Sequence, residues 1–79
     1  MPRIYFNIRE GNRLTRDEEG LDLPGLEAAQ RETDMSGREI LADMLRDGTP
    51  LDGQAVEITN EEGMVLRQIS FKSLFWIGA

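Results

Sequence analysis

Hydrophobic and polar residues alternate from Arg3 to Arg9, with Ile4, Phe6 and Ile8 on one side and Tyr5, Asn7 and Arg9 on the other. A period of two is the signature of a strand with one buried face. Gly11-Asn12 follows, a pair suited to a type II′ hairpin turn because Gly takes the φ > 0 position. A second strand is expected from Arg13, with Leu14 inward. Asp17-Glu18-Glu19-Gly20 interrupts it, and Leu21 and Leu23 resume the alternation before Pro24.

The period then changes. Leu26, Ala29, Thr33, Gly37, Ile40, Leu41, Met44 and Leu45 fall at three- and four-residue steps, which predicts one helix from Leu26 to Asp47 with a single apolar stripe. Gly25 is a weak N-cap, and Gly48 and Pro50 are stop signals. Ser36 and Glu39 have capping-box spacing and Gly37 lowers helix propensity, so two shorter helices are the competing reading. The stripe keeps phase across Gly37, which favours one helix and a Gly37 that lets it lie close to a sheet. Gln54 to Thr59 is a further strand with Val56 and Ile58 inward, Asn60-Glu61-Glu62-Gly63 a four-residue turn, and Met64 to Phe71 a last strand. There Arg67 shares a face with Val65, Ile69 and Phe71, so either its head reaches water from the sheet periphery or a bulge shifts the register.

The order β-β-α-β-β predicts a single α+β domain over residues 1–79: four antiparallel strands with one main helix across one face. The expected core is Ile4, Phe6, Ile8, Leu14, Leu21, Leu26, Ala29, Ile40, Leu41, Met44, Val56, Ile58, Ile69 and Phe71. The pattern leaves strand order open. Leu, Ile, Val and Phe make up about a quarter of the 79 residues, above the ~20% that marks disorder. The margin is thin, because a domain of this size buries only ~60% of its unfolded surface.

Zero Cys and zero His exclude disulfides, thiolate or imidazole metal sites, and Ser-His or Cys-His catalysis. The acidic run at Asp17 lacks the spacing of a calcium loop, and it reads as a solvated turn closed by a positive-φ Gly. A domain with one helix and one sheet offers little room for the ~5–10 Å carboxylate pair of a glycosidase. No catalytic residue, cofactor or metal is expected. Nine basic against fifteen acidic residues give a net charge of −6, which disfavours nucleic acid and suits a basic protein partner. The alternative is a nucleic-acid surface built from Arg3, Tyr5 and Arg9, in which Tyr5 would stack on a base; cross-strand charge pairing is the plainer account of these arginines. The longest unbroken apolar stretch, Leu74-Phe75-Trp76-Ile77, is far below the ~20 residues of a membrane span. With no signal-peptide core, a cytoplasmic protein is expected. That tail either folds back on the core or supplies an interface. Tyr5, Met64, Leu66, Leu74, Phe75, Trp76 and Ile77 are the candidate interface residues of a twofold homodimer formed through the outer sheet face and the tail.

The opening Met1-Pro2-Arg3-Ile4-Tyr5-Phe6, the turn Asp17-Glu18-Glu19-Gly20 and the helix start Pro24-Gly25-Leu26-Glu27-Ala28-Ala29 resemble a small bacterial family of unknown function, abundant in rhizobia and related alphaproteobacteria. Its members open M-P-R with an aromatic pair, carry D-x-E-G, and start the helix P-D-L-E-A-A. Gly25, where Asp is usual, and the apolar Leu74–Ile77 tail depart from that pattern. The resemblance covers nearly the whole chain, supports the fold class and implies no catalytic residue. The hairpin, the D-L-P step and L-E-A-A are more distantly similar to HicB-type antitoxin domains, which would imply a partner protein to be neutralised. Together these readings describe an acidic protein-interaction or regulatory module without catalysis.

Overall fold

The computed structural model describes residues 2–77, and of Phe75, Trp76 and Ile77 the backbone only. The elements are β1 (Arg3–Glu10), β2 (Arg13–Thr15), β3 (Leu21–Asp22), α1 (Leu26–Arg46), β4 (Ala55–Thr59), β5 (Val65–Ser70) and α2 (Phe71–Ile77). The strands run β2-β1-β4-β5, all pairings are antiparallel, and β3 also pairs with β1. The α+β class, the order β-β-α-β-β and the single main helix are those that the periodicity predicts. The interrupted second strand is present as β2 and β3, with residues 16–20 between them.

Turn geometry sets the register of the first hairpin. Gly11 has φ 59, and positive φ is confined to glycines among the described residues, so Gly11-Asn12 matches a II′ rather than a I′ turn. A two-residue connection places Arg13 opposite Glu10 and therefore Leu14 opposite Arg9. Arg9 is on the outer face, so Leu14 is too. The expectation that Leu14 points inward is overturned by the turn that precedes it. In β5 both accounts of Arg67 hold. Ile58 pairs with Arg67 and Thr59 with Val65, which leaves Leu66 as an extra residue in a bulge. Arg67 is exposed and its Nη1 donates to Gln30 Oε1 on α1 at 3.0 Å.

Helix α1 is one helix. Ala29, Thr33, Gly37 and Leu41 are its buried stripe. The Thr33 hydroxyl donates to Ala29 O at 3.0 Å, so its burial leaves no orphan donor. The helix ends in a Schellman motif: Gly48 N donates to Leu45 O and Thr49 N to Met44 O. Gly25, the N-cap, makes no side-chain capping bond.

The last expected strand is too long by its end. Ser70 terminates it and caps α2, accepting at Oγ from Ser73 N at 3.1 Å. Phe71 and Leu74, spaced i, i+3, are both fully buried. Helix α2 packs against α1 and β5, and Leu74 occupies the space above Gly37, where a Cβ would lie 2.5 Å from Leu74 Cδ1. Gly37 thus admits a second helix rather than bringing α1 nearer the sheet. The core is Ile4, Ala29, Leu41, Val56, Ile58, Ile69, Phe71 and Leu74, with Phe6, Ile8, Leu23, Leu26, Met44 and Leu51 partly buried against it. Leu21 and Ile40, expected in it, are 42% and 40% exposed.

Two substitutions test this packing by urea denaturation. Gly37→Ala should destabilise by about 1–3 kcal/mol through overpacking against the fully buried Leu74, against a helix-propensity gain of only ~1 kcal/mol. In a Leu74→Ala background the same change should become neutral or stabilising. Gly25→Asp meets open space and adds both a cap and a favourable charge at the helix start, so it should stabilise by about 0.5–1 kcal/mol.

Candidate functional site

The break in the second strand is built around Asp17. Phe6 N would donate to a neighbouring strand in an unbroken sheet; here it donates to Asp17 Oδ2 at 3.2 Å. Asp17 N donates to Asn7 Oδ1 at 2.9 Å. Asp17 Oδ1 accepts from Glu19 N and Gly20 N, both at 3.2 Å. The carboxylate therefore replaces the missing rung of the ladder and closes the turn. Gly20 has φ 68, and a Cβ there would lie 2.9 Å from Ile4 O, Arg3 Cδ and Tyr5 Cε2, so both backbone and space demand glycine. The acidic run is thus a structural plug. Among the described residues no three carboxylates come together as a set of metal ligands.

Pushed off β1, this loop forms one wall of a groove of about 410 Å³. Phe6, Ile8 and Val56 are its floor, Thr33, Ser36, Gly37 and Ile40 of α1 the facing wall, and Leu21 stands on the loop side. Thr15, Arg16, Asp17, Glu19, Gly20 and Glu32 complete its lining. Leu21 and Ile40 are half-exposed because they face this open space instead of each other's layer. Pattern alone could not reveal the groove, since every apolar residue in it sits where periodicity places a core residue.

The outer sheet face carries a polar network at its centre. Glu57 is buried between β1 and β5, and its Oε2 accepts from Arg9 Nε at 3.1 Å and Gln68 Nε2 at 3.2 Å. Asn7 Nδ2 reaches Thr59 Oγ1 at 3.5 Å. Arg3 Nε pairs with Asp22 across the strands at 3.2 Å. Arg3, Tyr5 and Arg9 do share one face, as alternation requires, but both arginines are matched by carboxylates. Charge pairing accounts for them, with Asp22 and Glu57 as the partners.

One end of the same face is apolar. Tyr5 stands opposite Thr59, and Thr59 opposite Val65, a row spanning about 10 Å at the usual strand spacing. Beside it Met64 is 62%, Val65 50% and Leu66 39% exposed, at the start of β5, the strand that ends the sheet. The structure brings Tyr5, Met64 and Leu66 to this end and adds Val65, which the bulge turns outward. Leu74 is not on this surface: it is fully buried against Gly37 in the chain's own core. The side chains of Phe75, Trp76 and Ile77 lie outside the described residues. No helix among the described residues is long and apolar enough to cross a membrane.

A family model described as a domain of unknown function (DUF6894) matches residues 3–72, and the chain belongs to that family. No curated protein and no solved structure matches it.

If Asp17 is the plug, Asp17→Ala leaves the amides of Phe6, Glu19 and Gly20 without their acceptor. It should cost about 2–4 kcal/mol, read by urea denaturation. Amide hydrogen exchange at Phe6 should accelerate well before that of Ile58 in the strand interior. Unchanged exchange at Phe6 would show that the carboxylate does not hold the ladder.

Proposed function

We propose that the chain, as a member of this family, is a non-catalytic interaction module that works as a twofold dimer. The observation that supports this reading is the contiguous exposed patch Met64-Val65-Leu66 at the start of the edge strand β5, with Tyr5 two strands away in the row of Val65. An end strand presents unpaired main-chain groups as well as side chains, and a second copy can cover the same patch about a twofold axis. Burial of these side chains supplies the driving force, at ~25 cal/mol per Å² of apolar surface. It must exceed the cost of association and the repulsion between two chains of net charge −6. The polar centre of the outer face, held by Glu57, Arg9 and Gln68, restricts the contact to this end of the sheet.

On this reading the protein is a cytoplasmic toxin-neutralising or regulatory adaptor; its pattern likeness to HicB-type antitoxin domains implies a partner protein that it would neutralise. Its acidity suits a basic protein partner. A nucleic-acid surface on Arg3, Tyr5 and Arg9 is disfavoured because both guanidinium groups are engaged by carboxylates, and no retention on heparin is expected at physiological salt.

Light scattering decides the dimer. The native chain should have twice its monomer mass at about 100 μM, above the micromolar affinities of a modest interface. Val65→Asp with Leu66→Asp should reduce it to a monomer with an unchanged circular dichroism spectrum, since both residues are exposed. A native monomer, or a dimer that survives the double change, would refute this assignment.

A further inference from the structure

The groove between α1 and β1 is a second surface, separate from the β5 patch. We propose that it docks an extended segment of a basic protein partner, with an apolar side chain on Phe6, Ile8 and Val56 and a Lys or Arg side chain between Glu19 and Glu32. Ile40 on α1 and Leu21 at the start of β3 face this space from opposite walls at about two-fifths exposure. Both occupy positions that alternation and the helix stripe assign to a core, so the two-layer packing is left unfilled here. The groove's volume of about 410 Å³ lies within the ~300–1,000 Å³ range of ligand sites. The floor makes no polar demand: no buried side-chain nitrogen or oxygen among the described residues lacks a partner.

Charge selects the occupant. Three carboxylates (Asp17, Glu19 and Glu32) and one guanidinium (Arg16) line the groove. Both Asp17 oxygens are spent on backbone amides. Glu19 has no side-chain partner among the described residues, and Glu32 keeps one oxygen beyond its bond from Ser36. These two carboxylates stand on opposite walls, over an apolar floor, on a chain of net charge −6. A second copy of the chain would bring the wrong sign. A basic segment with alternating apolar side chains matches both the floor and the rim.

The test is a two-dimensional NMR titration of the full chain with three synthetic peptides: Lys-Leu-Lys-Val-Lys-Leu amide, the same peptide with Glu for Lys, and the same peptide with Ser for Leu and Val. The first should shift the amides of Phe6, Ile8, Gly37 and Ile40 and saturate with a Kd of about 1 mM or below. The acidic peptide should bind at least about tenfold more weakly, and the Ser peptide should leave those four amides unmoved. Ile40→Asp, at an exposed position, should abolish the shifts with an unchanged circular dichroism spectrum. Glu19→Lys with Glu32→Lys should reverse the preference towards the acidic peptide. Equal response to the acidic and basic peptides, or no shift in the groove at about 5 mM, would overturn the proposal. So would Overhauser contacts from Trp76 to Ile40 in the free chain, which would show the chain filling the groove itself. The titration repeated on the Val65→Asp, Leu66→Asp chain should give the same result, so the groove and the dimer stand or fall separately.

Discussion

A helix laid along a four-stranded sheet covers only part of its width. The outer strand axes of such a sheet are about 14 Å apart, and a helix with its side chains is only ~10–12 Å across. The width mismatch has to be met on each side of α1. On the β5 side it is met by a second helix: Ser70 stops the strand, Phe71 and Leu74 enter the core, and Gly37 yields the space for Leu74. On the β1 side nothing among the described side chains fills it, and the groove is what remains. Core and groove are two outcomes of the same geometric deficit.

The loop at Asp17 determines what kind of opening that deficit leaves. An unbroken second strand would have run alongside β1 and paired its amides. Five residues leave the ladder instead, and one carboxylate replaces the lost backbone acceptor while tying its own turn. That arrangement lifts Glu19 and Leu21 to the groove's edge, opposite Glu32 and Ile40. The acidic run earns its place first as structure, and its position on the rim is a consequence of that.

The two faces of the sheet are stabilised by different physics. The inner face is apolar and packed against the helices. The outer face carries Glu57 at its middle strand, satisfied by Arg9 and Gln68 from the strands on either side. This network crosses three strands and holds the centre of the face polar; among the described residues its large exposed apolar side chains are Met64, Val65 and Leu66, at the end where the bulge at Leu66 turns Val65 outward.

Local signals were sufficient for the elements: period-two runs gave β1 and β4, the stripe from Leu26 to Met44 the single helix, and Gly11, Gly20 and Gly48 the points where the chain changes direction. The exception is the short helix α2, which is not in the period-two reading; that reading carries the last strand through Phe71 and leaves the apolar tail either folded back on the core or at an interface, and Leu74 does fold back. Leu14 faces outward because the two-residue turn sets it opposite Arg9, and its own alternation carries no information on that register. Periodicity reports which side of an element a residue occupies, because backbone geometry repeats every two or 3.6 residues. It carries no information on how many elements share a layer or how wide they are. Whether Leu21 and Ile40 meet a neighbour, whether Leu74 finds Gly37, and which carboxylate answers Arg9 depend on contacts between residues far apart in the chain. Those were decided only when α1, α2 and the sheet came together.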